Sequence, residues 1–188
     1  MNSNKTFKQL MTVAQRQFSL YNYSDKANPR VFFTLSKNGQ PLGDLVFEMY
    51  KNHVPAAADN VISFATGNNE WKASYTGTVL DKGFPGIVLQ GGRATECNSS
   101  YNGGRLPDEG LAYMRHHKRG QLTLVNDGEN GNGHEFMITL DKADMLDGYH
   151  VVVGELVEGE DVLKAAEQSI TRHGTVADEI RIENSGTR

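Results

Sequence analysis

Residues 81–92 read Asp-Lys-Gly-Phe-Pro-Gly-Ile-Val-Leu-Gln-Gly-Gly, a short apolar run framed by Pro85-Gly86 on one side and Gly91-Gly92 on the other. Three readings compete for it: a cradle for phosphate, a bend in a sheet, and a binding site that has lost part of its chemistry. A phosphate cradle closes on Gly-Lys-Ser/Thr, where the opening of a helix aims backbone N–H groups at the anion. None of the glycine runs in this chain ends that way. The other two readings both need a strand entered and left by tight turns, so the surrounding sequence has to decide.

Outward from this stretch the chain reads as strands. Upstream, Val31-Phe32-Phe33-Thr34-Leu35 is rich in β-formers, and Asn38-Gly39 marks a hairpin leading into 42–50. Pro55 to Ala65 reads as a helix, with proline at its start, apolar residues at 61, 64 and 65, and Gly67 as the stop. Between Gly67 and Gly120 come short strands and glycine-rich loops. Further strands are expected at 121–125, 135–140, 150–157 and 179–183, and a second helix at 159–169, with apolar residues at 162, 163, 165 and 166. Many short strands with two helices, in no alternating order, argue for a mainly β, antiparallel barrel or sandwich. A chain of 188 residues, 38% hydrophobic, is long enough for one domain with a core and a short appendage.

The composition excludes several classes of function. A net charge of -4 gives no cationic surplus for nucleic acid. The one basic knot, His116-His117-Lys118-Arg119, is expected to be a solvated turn. No run approaches the roughly 18 apolar residues of a membrane helix, so no direct membrane span is expected. Cys97 is the only cysteine, which excludes an intrachain disulfide and favours a reducing compartment. Asp127-Gly-Glu-Asn-Gly-Asn-Gly-His134 has dinucleotide-like glycine spacing, but a strand follows it where a helix is needed. Neither Asp127 nor Asp141 opens a calcium loop, no histidine has ligand spacing, and no Ser or Cys sits in a nucleophile elbow. No cofactor and no metal are expected.

Residues 1–28 stand apart. Lys5, Lys8 and Arg16 precede the first acid, Asp25, and Phe7, Leu10, Met11, Ala14 and Phe18 share a helical face. Two readings of this segment stay open: a mitochondrial transit peptide, and a helix that docks on a neighbour. An uncleaved helix ordered from Met1 would need something to hold it down.

Taken together, Val31-Phe-Phe, Gly43-x-Leu-Val-Phe-Glu48, Val54-Pro55, Asp59-Asn60, Phe64, Thr66-Gly67, Pro85-Gly86, Gln90-Gly91-Gly92, Asn126, Asn132-Gly133, Phe136, Leu146-Asp147-Gly148, His150-Val-Val, Gly154 and Val157-Glu158-Gly159 resemble, in order and spacing, the cyclophilin family of peptidyl-prolyl cis/trans isomerases. The resemblance runs from about residue 29 to the C-terminus. It implies a closed eight-stranded antiparallel β-barrel capped by two α-helices, as a domain over 29–188 behind the helical extension 1–28.

The resemblance also implies where the site lies and how it has changed. Rotating an X-Pro bond means breaking amide resonance across about 18–20 kcal/mol, without breaking a bond. In cyclophilins an arginine in Phe-His-Arg-x-x-Pro-Gly-Phe-Met-x-Gln-Gly-Gly donates a hydrogen bond to the proline nitrogen. Here that position is Lys82, which keeps the charge and loses the planar fork. Ile87 and Val88 replace a phenylalanine and a methionine, and Met137 replaces a second phenylalanine. Val125 replaces an alanine, Glu135 a glutamine, and Met145 the tryptophan that helps bind cyclosporin, so weak binding of that drug is implied. Gln90, Asn126, Leu146 and His150 are kept, enough to hold a peptide backbone. Two functions remain in view. The first is a structural or peptide-binding subunit of a larger, mitochondrial assembly, joined to other protein chains through residues 1–28 and able to take proline-containing segments. The second is an isomerase of low activity that assists folding, in mitochondria or in the cytoplasm.

Overall fold

The computed structural model describes residues 22–94, 97 and 99–188; the expected N-terminal helix lies outside them. Eight strands and two helices follow: β1 (Arg30–Lys37), β2 (Gln40–Met49), α1 (Pro55–Thr66), β3 (Val79–Phe84), β4 (Val88–Gly91), β5 (Gln121–Asn126), β6 (Asn132–Thr139), β7 (Val152–Glu158), α2 (Glu160–Glu167) and β8 (Thr175–Thr187), with a 3₁₀ turn at Asp144–Leu146 before β7. The strands close a barrel in the order β1-β2-β7-β5-β6-β4-β3-β8, and every pair is antiparallel.

Local chemistry explains the turns. Asn38 and Gly39 both take positive φ, 50° and 76°, the backbone that matches a two-residue hairpin to the twist of its strands. Pro55 opens α1, and Gly67 ends it in the left-handed conformation. Helix α2 lies so close to β2 that a Cβ on Gly43 would come within 2.8 Å of Val162 Cγ2, which leaves no side chain but hydrogen at position 43.

Alternation along the strands separates an inner and an outer face. In β1, Val31, Phe33 and Leu35 are buried while Phe32 and Thr34 are partly open. The inner faces meet in an aromatic cluster. Phe136 stacks on Phe33 with ring centres 5.2 Å apart, and Tyr75 meets it edge-on at 5.1 Å. Phe64 of α1 adds a tilted contact with Tyr75 at 5.7 Å. Each such pair contributes about 0.5–1.5 kcal/mol beyond the area it buries.

Residues 22–28 run along the barrel. Tyr23 is buried against Tyr50 and His53, and the buried carboxylate of Glu48 accepts hydrogen bonds from Ser24 Oγ, the Asp25 amide and Asn28 Nδ2 at 2.8–2.9 Å.

Two expectations are corrected. His116-His117-Lys118-Arg119 is not a solvated turn: His116 is 0% exposed. Its ring is held between Asp147 and Thr123, while Lys118 pairs with Glu155 and Arg119 with Glu160 and Glu167. Arg119 is half-buried against acids of α2, while Lys118, paired with Glu155 of β7, stays exposed. The last strand is also longer than 179–183, because it pairs with β1 on one side and β3 on the other.

Candidate functional site

The outer face of β3, β4, β6 and β5 carries the candidate residues in a row. Register sets Lys82 opposite Gln90, Gln90 opposite Met137, and Met137 opposite Thr123; cross-strand partners share a face and touch. Met137 is 6% exposed and Val88, one place along from the row opposite Thr139, is 3% exposed. Together they form an apolar floor. Ile87 stands half-buried in the turn before β4, its amide bonded to Phe84 O and its carbonyl to the Leu140 amide. Lys82, at the end of the row, is exposed, and its side chain makes no hydrogen bond or ion pair among the described residues.

Beside the row lies a charged network. After β4 the backbone turns at Gly92, with φ +82°, where a Cβ would come within 2.7 Å of the Phe136 ring. This tight passage over Phe136 brings Arg93 alongside Glu135, the residue before Phe136, which faces outward. Arg93 Nε lies 3.2 Å from Glu135 Oε1, and Nη2 lies 3.4 Å from Oε2. Gln90 Nε2 donates to the same Oε2 at 2.8 Å. Asp81, where β3 bulges, stands 3.8 Å from Arg93 Nη1 through Oδ2. Burial pushes the Glu135 carboxyl up, but the hydrogen bonds from Arg93 and Gln90 outweigh it and hold the group below its ordinary value. Glu135 is therefore an anion, and Arg93 is its counterion.

The other end of the face is built by the loop after β5 and the turn before β7. Asn126 Nδ2 donates to Tyr149 O at 2.6 Å, and His150 Nδ1 lies 3.1 Å from Leu124 O. A carbonyl only accepts, so Nδ1 carries the proton and Nε2 is left as an acceptor for a peptide N–H. Burial pushes the His150 imidazole below its ordinary value, which keeps Nε2 available near neutral pH. Asn126, Met145 and His150 line a cavity of about 650 Å³ together with Asp108, Leu111 and Tyr149. Met145 is 60% and Tyr149 71% exposed; Leu146 and Val125 are half-buried.

The turn that carries these residues is fixed from behind. Asp147 Oδ1 accepts from the His116 amide at 2.7 Å and from its Nδ1 at 2.9 Å. His116 Nε2 lies 3.1 Å from Thr123 Oγ1 on β5, and that hydroxyl is 2.8 Å from Val151 O. Burial lowers the His116 imidazole despite the Asp147 carboxylate.

The structure thus divides the candidates into two groups. Lys82, Val88, Gln90, Glu135 and Met137 lie across β3, β4 and β6; Val125, Asn126, Met145, Leu146 and His150 lie at the end of β5 and on the turn before β7; Ile87 stands apart at the turn into β4. Sequence reasoning missed Arg93, His116 and Asp147. The signal for Arg93 was its place directly after Gly91-Gly92, where a reversal returns the chain to the outer face. No group of His, Cys, Asp or Glu among the described residues is arranged to hold a metal ion. The arrangement offers an extended peptide an apolar floor flanked by hydrogen-bonding groups, and a cation held at one end. A family model described as Cyclophilin type peptidyl-prolyl cis-trans isomerase/CLD matches residues 32–187.

Proposed function

The chain belongs to the cyclophilin-type peptidyl-prolyl cis-trans isomerase family, and from that premise we propose that its outer groove binds extended, proline-containing segments of other polypeptides, with no catalytic part for Lys82. The observation that carries this reading is the contrast within one row. Gln90 is held by Glu135 beside the floor formed by Met137 and Val88, whereas Lys82 at the margin is exposed and, among the described residues, unheld. A flexible ammonium with no partner has to be ordered anew at each encounter, which costs side-chain entropy that a held donor does not lose.

The protein would act as a binding subunit of a larger assembly, and residues 1–28, acid-poor before Asp25, support a mitochondrial setting. A second reading, an isomerase of low activity, is favoured by one observation, the guanidinium of Arg93 beside Gln90 and Glu135.

Titrating ¹⁵N-labelled protein with an Ala-Pro tetrapeptide tests the proposal. Shifts are expected at Gln90, Met137, Asn126 and His150, and Lys82→Ala should leave both affinity and the peptide's exchange rate within about twofold. Unperturbed groove signals would end the binding reading. A large loss of exchange in Lys82→Ala would return catalysis to that residue.

A further inference from the structure

Peptide held in this groove still needs a donor if its prolyl bond is to turn. As the bond rotates, amide resonance is lost and the proline nitrogen regains its lone pair; an N–H aimed at that pair stabilises the rotated form. No covalent bond forms or breaks, so the whole requirement is position and direction. Three conditions follow: the donor stands beside the apolar floor, it is held before substrate arrives, and part of it stays open.

Lys82 meets the first condition and fails the second. Arg93 meets all three. Its Nε–Nη2 edge is taken by Glu135, and Glu135 Oε2 is shared with Gln90 Nε2. One carboxylate oxygen therefore links the guanidinium to the residue opposite Met137 in the row. Nη1 stands 3.8 Å from Asp81 Oδ2, beyond hydrogen-bond range, so among the described residues its N–H groups are uncommitted. The Arg93 side chain remains 48% exposed. Its planar fork, anchored along one edge, fixes the direction of the free N–H groups in a way a rotating ammonium does not.

We propose that Arg93, arriving from the far side of Gly91-Gly92, is the catalytic hydrogen-bond donor for prolyl rotation in this groove, in place of the residue at position 82. The proposal rests on the reading that the groove takes X-Pro segments.

Exchange spectroscopy on the Ala-Pro tetrapeptide, run on the full chain with Arg93→Ala and Arg93→Lys, tests it. Arg93→Lys keeps a positive charge beside Glu135 and guards against loss of fold, which the ¹H–¹⁵N spectrum reports. Both variants are expected to lower the isomerisation rate by about tenfold or more while peptide affinity stays within about threefold. If the wild-type chain binds peptide but does not accelerate exchange, or if both variants keep the wild-type rate, the Arg93 proposal is overturned and the binding reading stands. If the wild-type chain binds no peptide, the groove reading falls and takes the proposal with it.

Discussion

Phe136 shows how much one residue can decide. It stacks on Phe33, meets Tyr75 edge-on, and lies under the backbone at Gly92. Phe136→Ala is expected to cost about 3–5 kcal/mol, read as a lowered midpoint in urea denaturation. A smaller loss would mean that the barrel collapses into the space. Alternation around the same residue agrees with what the resemblance implied for two of the candidates: once Phe136 faces inward, period two sends Glu135 and Met137 outward. Arg93 was not legible that way. Gly91-Gly92 marks the reversal before it, but which strand then faces β4 is not written in residue types. His116 misled for the opposite reason, since a histidine beside three basic residues reads as surface until Asp147 and Thr123 are seen on either side of it.

The turn from Asp144 to His150 is held from behind by a titratable group, His116. A neutral His116 keeps its proton on Nδ1 for Asp147, and Nε2 then competes with Val151 O for the single proton of Thr123. Protonation makes Nε2 a donor and leaves the hydroxyl to Val151 alone. Burial sets the folded value of His116 below the ordinary 6.5, so between the two values the unfolded chain binds more protons and stability rises with pH. Amide-exchange protection of His116 and Leu146 is therefore expected to fall as pH drops below about 6.5, and His116→Gln should flatten that slope. Protection that rises on acidification would show an imidazolium–carboxylate pair instead. The strands and helices themselves were largely legible, from turn residues such as Asn38-Gly39 and Gly67. The ends of β8 were not, because pairing with β1 and β3 recruits Thr175 and Asp178 on one side and the polar run 184–187 on the other, which carry no apolar signal.

At the scale of the whole molecule, the described domain begins before the resemblance does. Tyr23 and the bonds to Glu48 tie residues 23–28 to the barrel. If the mitochondrial setting holds, the full chain incubated with isolated mitochondria should become protease-protected while a chain starting at residue 22 should not. Equal behaviour of the two would remove residues 1–21 as the address. Closure of the barrel has its own consequence. β8 is the last strand to be made, yet it fills the gap between β1 and β3, with Thr187 opposite Val31 and the Arg188 amide on Arg30 O. While the ribosome still holds that segment, the nascent chain carries two open sheet edges, the kind of surface on which strands of other chains assemble. The barrel is completed only once β8 has emerged, and until then both edges depend on shielding by whatever receives the emerging polypeptide.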